Sequence, residues 1–250
     1  MNEQQYFNYL SLRFRKAFHE SFTPEWNCPH CSSGMLHLDG NSLTYEETAE
    51  SAASRRGPDW EPDWLDFHFT ARFECNRCPG KTIAVGSGHD ECFLEGYPDG
   101  DAVWMTVFMP EFFYPALPIF KIPAGCPDAI KNTLRSAFKV AWADFPAAGN
   151  RLRVAIENLV VEIDPSTQAL TPLHKKIEAL DHSHPEISKW LMAIKWLGNS
   201  ASHFDNLREC DLKFGFDTME LVLQELYTGD RRRISQLAHE IIQNKGPVGL

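Results

Sequence analysis

Two short cysteine pairs, Cys28-Pro29-His30-Cys31 and Cys75-Asn76-Arg77-Cys78, constrain this chain more than any other feature of it. In a Cys-x-x-Cys turn both thiolates point the same way, and two such turns supply the four sulfurs of a closed tetrahedral site. Four protein ligands leave no position for water, so the expected ion is a structural Zn2+ whose binding contributes directly to folding. The expected ligands are Cys28, Cys31, Cys75 and Cys78. A redox pair or free thiols are the competing reading, and His30, His37, His89 or Cys92 could replace one sulfur. Cys126 and Cys210 stand alone and read as packed thiols.

The compartment follows from the same residues. The chain has seven cysteines, and its N-terminal stretch MNEQQYFNYLSLRFRKAF places polar and basic residues where an export signal needs an apolar core. It reads as an amphipathic helix, so the expectation is a cytoplasmic protein using cysteine for metal ligation. No apolar run reaches the roughly 18 residues of a membrane span. The formal net charge of -10 argues against extensive wrapping of nucleic acid, which needs a basic face, while leaving room for a small basic pocket.

The pattern along the chain predicts an α+β protein. Residues 1–25 are expected to hold an N-terminal helix, from apolar residues recurring at helical spacing between about Tyr6 and Glu20. Residues 26–109 then form a zinc-binding module around a small antiparallel sheet. Its strand signals are Leu65–Phe73, Ile83–Val85 and Ala102–Met109, separated by Pro79-Gly80, Gly86-Ser87-Gly88 and Pro98-Asp99-Gly100. Within it, residues 39–63 lack an apolar face and read as a mobile insertion. Residues 110–127, marked by Pro110, Pro115, Pro118, Pro123 and Pro127, read as a connector. Residues 128–250 are helical, with segments near 128–145, 148–163, 172–180, 185–197, 211–227 and 230–244 divided by Pro146, Asp164-Pro165 and Thr228-Gly229.

One stretch of the helical half carries chemistry. In Ile194-Lys195-Trp196-Leu197-Gly198-Asn199-Ser200-Ala201-Ser202-His203-Phe204, the residues Lys195, Asn199 and His203 fall at four-residue steps on one polar stripe. The same spacing puts Arg153 and Glu157 together on an upstream helix, as a structural ion pair. Three stretches in order, RLRVAIENLV (Arg151 to Val160), LHKKIEAL (Leu173 to Leu180) and IKWLGNSASHF (Ile194 to Phe204), resemble the domain of unknown function 4145 family. The lead-in Phe112-Phe113-Tyr114-Pro115 and the cysteine pairs look similar too, so the likeness runs over roughly residues 26 to 228.

That family looks like a branch of the HEPN superfamily of helical domains, many of them ribonucleases of toxin–antitoxin and anti-phage systems. The resemblance implies an HEPN-like bundle, a homodimer or larger assembly, and possible protein or RNA partners. It implies either an interaction and regulatory module of bacterial defence or stress response, or a metal-independent endoribonuclease using His203, Asn199 and Lys195. Histidine suits proton transfer near neutral pH and a cation stabilises phosphate charge. Where the ribonucleases carry arginine directly before the asparagine, this chain has Gly198, and Lys195 is a point charge without the planar fork. The bland reading of the stripe has Asn199 and His203 buried and hydrogen-bonded to the Arg153–Glu157 helix.

Other signals read as structure. Arg231-Arg232-Arg233 is a solvated face, Trp190 and Trp196 suit helix packing, and His182-Ser183-His184 is a surface pair. Gly86-Ser87-Gly88-His89-Asp90 reads as a turn, and no phosphate-cradling or HExxH motif is present.

Overall fold

The computed structural model of the chain describes residues 14–58, 60–61, 64–94, 102–204 and 207–247. It divides into two compact units, one running to Ile119 and including Phe138–Asp144, the other comprising Phe120–Ala137 and the chain from Phe145 onward.

The first unit is an antiparallel sheet. Its strands are β1 (Leu36–Leu38), β2 (Thr44–Glu47), β3 (Asp66–Cys75), β4 (Lys81–Leu94) and β5 (Ala102–Tyr114). The order is β1-β3-β4-β5, with β2 also pairing β3. β1 and β2 meet opposite ends of β3, at Phe73–Cys75 and at Phe67–Thr70. Alternation in β3 does what a half-buried strand requires: Phe69, Ala71 and Phe73 face inward while His68, Thr70 and Arg72 face out. The core is aromatic. Phe18 lies within 5.2–6.1 Å, centroid to centroid, of Trp26, Phe69, Phe73 and Phe108, and Trp142 closes on Phe113 at 4.7 Å.

Several expectations change here. The described part of the N-terminal segment is not helical: Phe18 pairs its backbone with Phe108 across two 2.9 Å hydrogen bonds, because burying its ring against the sheet outweighs local helical periodicity. Residues 1–13 and the Pro98-Asp99-Gly100 turn lie outside the described residues. Gly86-Ser87-Gly88 is not a turn but the middle of β4. A Cβ on Gly86 would stand 2.2 Å from the Met109 carbonyl, and one on Gly88 would stand 2.8 Å from the Phe108 ring. Gly86 marks a close backbone approach beside a bulge at Val85/Gly86, and Gly88 makes room for the Phe108 ring. Pro110 sits opposite Gly86 at that irregularity, the kind of place where a strand accommodates a residue without an N–H. β5 therefore runs on to Tyr114, well into the expected connector.

The stretch 39–63 is also more regular than a mobile loop. A 3-10 turn (Gly40–Ser42), β2 and helix α1 (Ala49–Ser54) occupy much of it. Polar contacts build it: Thr48 caps α1 by accepting from the Ser51 amide, and the buried Ser51 hydroxyl donates to Glu47. Asp39 pairs with Arg72, which holds its carboxyl below the ordinary range. Side-chain capping leaves no apolar period to read.

The second unit is helical. Helix α2 (Asp128–Ala141) gives it its first turns, followed by α3 (Phe145–Ile163), α4 (Leu173–Glu178), α5 (Pro185–Phe204), α6 (Glu209–Tyr227) and α7 (Asp230–Asn244). Pro146 starts α3 instead of ending α2, since proline fits the first turn where its missing donor is no loss. α3 lies along α5, with Leu152, Ala155, Ile156, Leu159 and Ile194 fully buried. No described helix is long and apolar enough to cross a membrane.

Candidate metal centre and polar stripe

Backbone pairing brings the two cysteine turns together. The first turn closes a hairpin through Cys28 N→Gly34 O at 2.8 Å and Leu36 N→Trp26 O at 2.9 Å. The second joins β3 to β4 through Cys75 N→Gly80 O at 3.1 Å. Because β1 pairs β3 with Leu36 opposite Cys75, the loops stand side by side despite the chain between them. All four sulfurs lie within 4.8 Å of one another. Cys28 Sγ to Cys78 Sγ and Cys31 Sγ to Cys75 Sγ are each 3.7 Å. That is far beyond a disulfide bond of about 2.05 Å and suits four ligands around one cation. Among the described residues this forms a candidate metal site.

The loops hold each other as well as the sulfurs. A Cβ on Gly34 would fall 2.3 Å from Cys75 Sγ, and one on Gly80 would fall 2.5 Å from the His30 ring. Each turn thus offers a glycine to the other. The motif spacing gave no sign of this exchange, although a glycine shortly after each pair was there to be seen. Asn76 and Met35 add a reciprocal pair, Asn76 N→Met35 O at 3.1 Å and Met35 N→Asn76 Oδ1 at 3.0 Å. Gly34→Ala is expected to leave the sheet folded but weaken metal binding, because the methyl displaces Cys75; titration of both proteins against a chromophoric chelator measures it.

Amide donors surround the sulfurs: His30 N to Cys28 at 3.4 Å, Arg77 N to Cys75 at 3.3 Å and Gly80 N to Cys78 at 3.4 Å. The Ser33 amide draws the Cys31 thiol down to about 6. Burial raises the Cys28 thiol. At Cys78 the Gly80 amide pulls downward, but burial and the three neighbouring sulfurs outweigh it and the thiol rises to about 12. Four sulfurs this close resist ionising together unless a cation shares their charge. The competing ligands fall away: His30 Nε2 bonds the Lys81 carbonyl at 3.0 Å, His37 pairs with Glu74 in the sheet, and His89 and Cys92 lie farther along β4. Cys126 and Cys210 are buried.

The stripe of the helical unit departs from expectation. Glu157 accepts a hydrogen bond from Lys176 at 2.9 Å, so its ion pair is with α4 and not with Arg153. The α3/α5 crossing explains this: a Cβ on Gly198 would meet the Gly149 carbonyl at 3.3 Å and Arg153 Cβ at 3.4 Å, so Arg153 lies against Gly198, turned from Glu157. The same closeness explains why glycine precedes Asn199. Lys195 is 7 % exposed. Asn199 is half-buried and makes no hydrogen bond to α3 among the described residues. His203 falls in the last turn of α5, with its side chain outside the described residues, as are those of Arg231 and Arg232. Trp190 is half-buried, whereas Trp196 is 55 % exposed and does not serve as core packing.

Residues 16–113 match a family model described as a domain of unknown function (DUF8608), and residues 135–245 match one described as a domain of unknown function (DUF4145). The likeness to the latter therefore covers the helical part, while the sheet and its cysteine turns match a separate model. No curated protein and no solved structure matches the chain.

Proposed function

We propose that this chain is a zinc-stabilised, HEPN-like interaction and regulatory module of a bacterial anti-phage defence or stress-response system. It works in the cytoplasm as a homodimer or larger assembly with a protein partner. The observation that carries the zinc reading is the sulfur geometry. A zinc–sulfur bond of about 2.3 Å makes each edge of a tetrahedron about 3.8 Å, against the 3.7 Å found twice here. Cys28, Cys31, Cys75 and Cys78 would hold the ion, which supplies cross-linking and charge balance at a closed site. The non-enzymatic reading is supported by the tightly packed Gly198, where an HEPN ribonuclease carries arginine.

One test addresses both parts. Purified protein is expected to carry one zinc per chain by elemental analysis, lost in Cys28→Ser, and to leave RNA intact in a cleavage assay. Absence of bound metal would falsify the zinc reading. RNA cleavage by the wild type that His203→Ala abolishes would replace the interaction module with an endoribonuclease using His203, Asn199 and Lys195.

A further inference from the structure

Among the described side chains of α7, all are exposed except half-buried Glu240. Helices α3, α5 and α6 each bury an apolar stripe, whereas α7 leaves its stripe in solvent. Ile234 is 61 % exposed, Leu237 43 %, Ile241 47 % and Ile242 73 %. Steps of three and four residues put these four on one face, and Gln236, His239, Glu240 and Gln243 lie opposite. The turn from α6 sets the helix apart: Gly229 takes a φ of +70°, and a Cβ there would meet nothing within 4 Å. A helix of 15 residues without tertiary packing is marginal in water. An apolar face this regular on such a helix is built to be covered.

Charge says what covers it. The first turn of α7 holds Arg231, Arg232 and Arg233 against one acid, Asp230. Cations at a helix N-terminus oppose the backbone dipole, and they are favoured at a C-terminus. The last turn of α7 carries no basic residue before its capping Lys245. Two copies laid antiparallel answer both ends, because each arginine-bearing start lies beside the other's Glu240 and C-terminal carbonyls. Laid parallel, they would set arginines against arginines. A lipid surface fits less well: a helix lying on a membrane carries basic residues along its polar face, and the four opposite the stripe include no lysine or arginine. Helices about 22 Å long bury less than the roughly 1,200–2,000 Å² of a standard interface, so the pair is expected to dissociate at micromolar concentration.

We propose that α7 is the contact between two copies of this chain, paired antiparallel across a two-fold axis on Ile234, Leu237, Ile241 and Ile242. This contact rests on the assembly proposed above and assigns it to a helix outside the polar stripe of α5.

The test is sedimentation velocity on the full, zinc-loaded chain over a hundredfold range of concentration at low salt. Wild type is expected to pass from monomer to dimer as concentration rises. Leu237→Gln and Ile241→Gln are each expected to raise the dissociation constant at least tenfold. Glutamine is a good helix former, so these variants separate a lost contact from a lost helix. Glu240→Lys, which sets a cation against the other copy's arginines, is expected to raise the constant at least threefold. Trp196→Gln on α5 and Ile83→Gln on β4 remove exposed apolar side chains elsewhere and are expected to associate as wild type. A wild type that stays monomeric throughout overturns the assembly and this contact with it. A dimer that survives both glutamine variants of α7 overturns the contact alone, and loss of that dimer in Trp196→Gln or Ile83→Gln moves it to α5 or the sheet. Unchanged association in Glu240→Lys overturns the antiparallel orientation. Monomer that pellets with phosphatidylserine–phosphatidylcholine vesicles, and no longer does so in Ile241→Gln, gives α7 to a lipid surface instead.

Discussion

Stripping the metal with a strong chelator is expected to unfold the sheet unit, read as loss of its near-ultraviolet circular dichroism and of amide-exchange protection in β3. Structural zinc binding is worth about 10–16 kcal/mol in small modules at neutral pH, against a total stability of about 5–15 kcal/mol for an ordinary domain. The first figure matches or exceeds the second, so the metal-free sheet has little margin. Acid should have the same effect, and the sign follows from the thiols. Cys31, drawn down to about 6 by the Ser33 amide, contributes stability that is full above its unfolded value of 9.0 and is lost as pH falls through about 6. Protons then compete with the cation for all four sulfurs. In the metal-free chain Cys28 and Cys78 act in the opposite sense: both thiols are raised, so each costs stability as pH climbs above 9.0, Cys78 up to about 12. The gap between metal-loaded and metal-free stability should therefore widen with rising pH. A chelated protein that keeps its circular dichroism and melting temperature would show that the sulfurs are incidental to the fold.

Phe73→Ala is expected to cost about 3–5 kcal/mol, the range for emptying a buried phenylalanine site, measured by denaturant unfolding of the metal-loaded protein. Phe73 is fully buried and its ring meets Phe18 at 5.2 Å, Trp26 at 5.3 Å and Phe113 at 6.2 Å. These rings come from β3, β5 and the two segments before β1, so the cavity would be walled largely by aromatic side chains that are already packed against one another. Phe112→Ala, on the exposed face of β5, is the matched control and should fall within about 0.5 kcal/mol of wild type. A small effect at Phe73 would mean that the core is less tightly interlocked than its ring contacts imply.

Much of this was legible in the residues. The Cys-x-x-Cys pairs announce a local geometry, so the sulfur cluster followed from spacing alone, and the alternation in Leu65–Phe73 marked β3 because one face is buried. Helix existence was equally plain, since long periodic segments with proline and glycine punctuation have few other readings. The failures share a cause: the deciding contact is remote in sequence. Phe18 leaves its helical period to pair with Phe108. Gly86 and Gly88 look like a turn until Met109 and Phe108 close against them. Glu157 pairs with Lys176 of α4, while Arg153 lies against Gly198 of α5. Side-chain capping at Thr48 and Asp39 likewise orders a stretch without any apolar pattern.

The pairing of Leu36 with Cys75 has a corollary for how such a protein can change. The span between the sulfur pairs is set by neighbouring strands, so the length of intervening chain is irrelevant to the cation. Loop-closure entropy grows only slowly with length, which makes the segment beyond α1 a natural graft point. A tag or a small folded guest inserted after Ser54 would ride on the sheet's margin while the metal clasp stays shut.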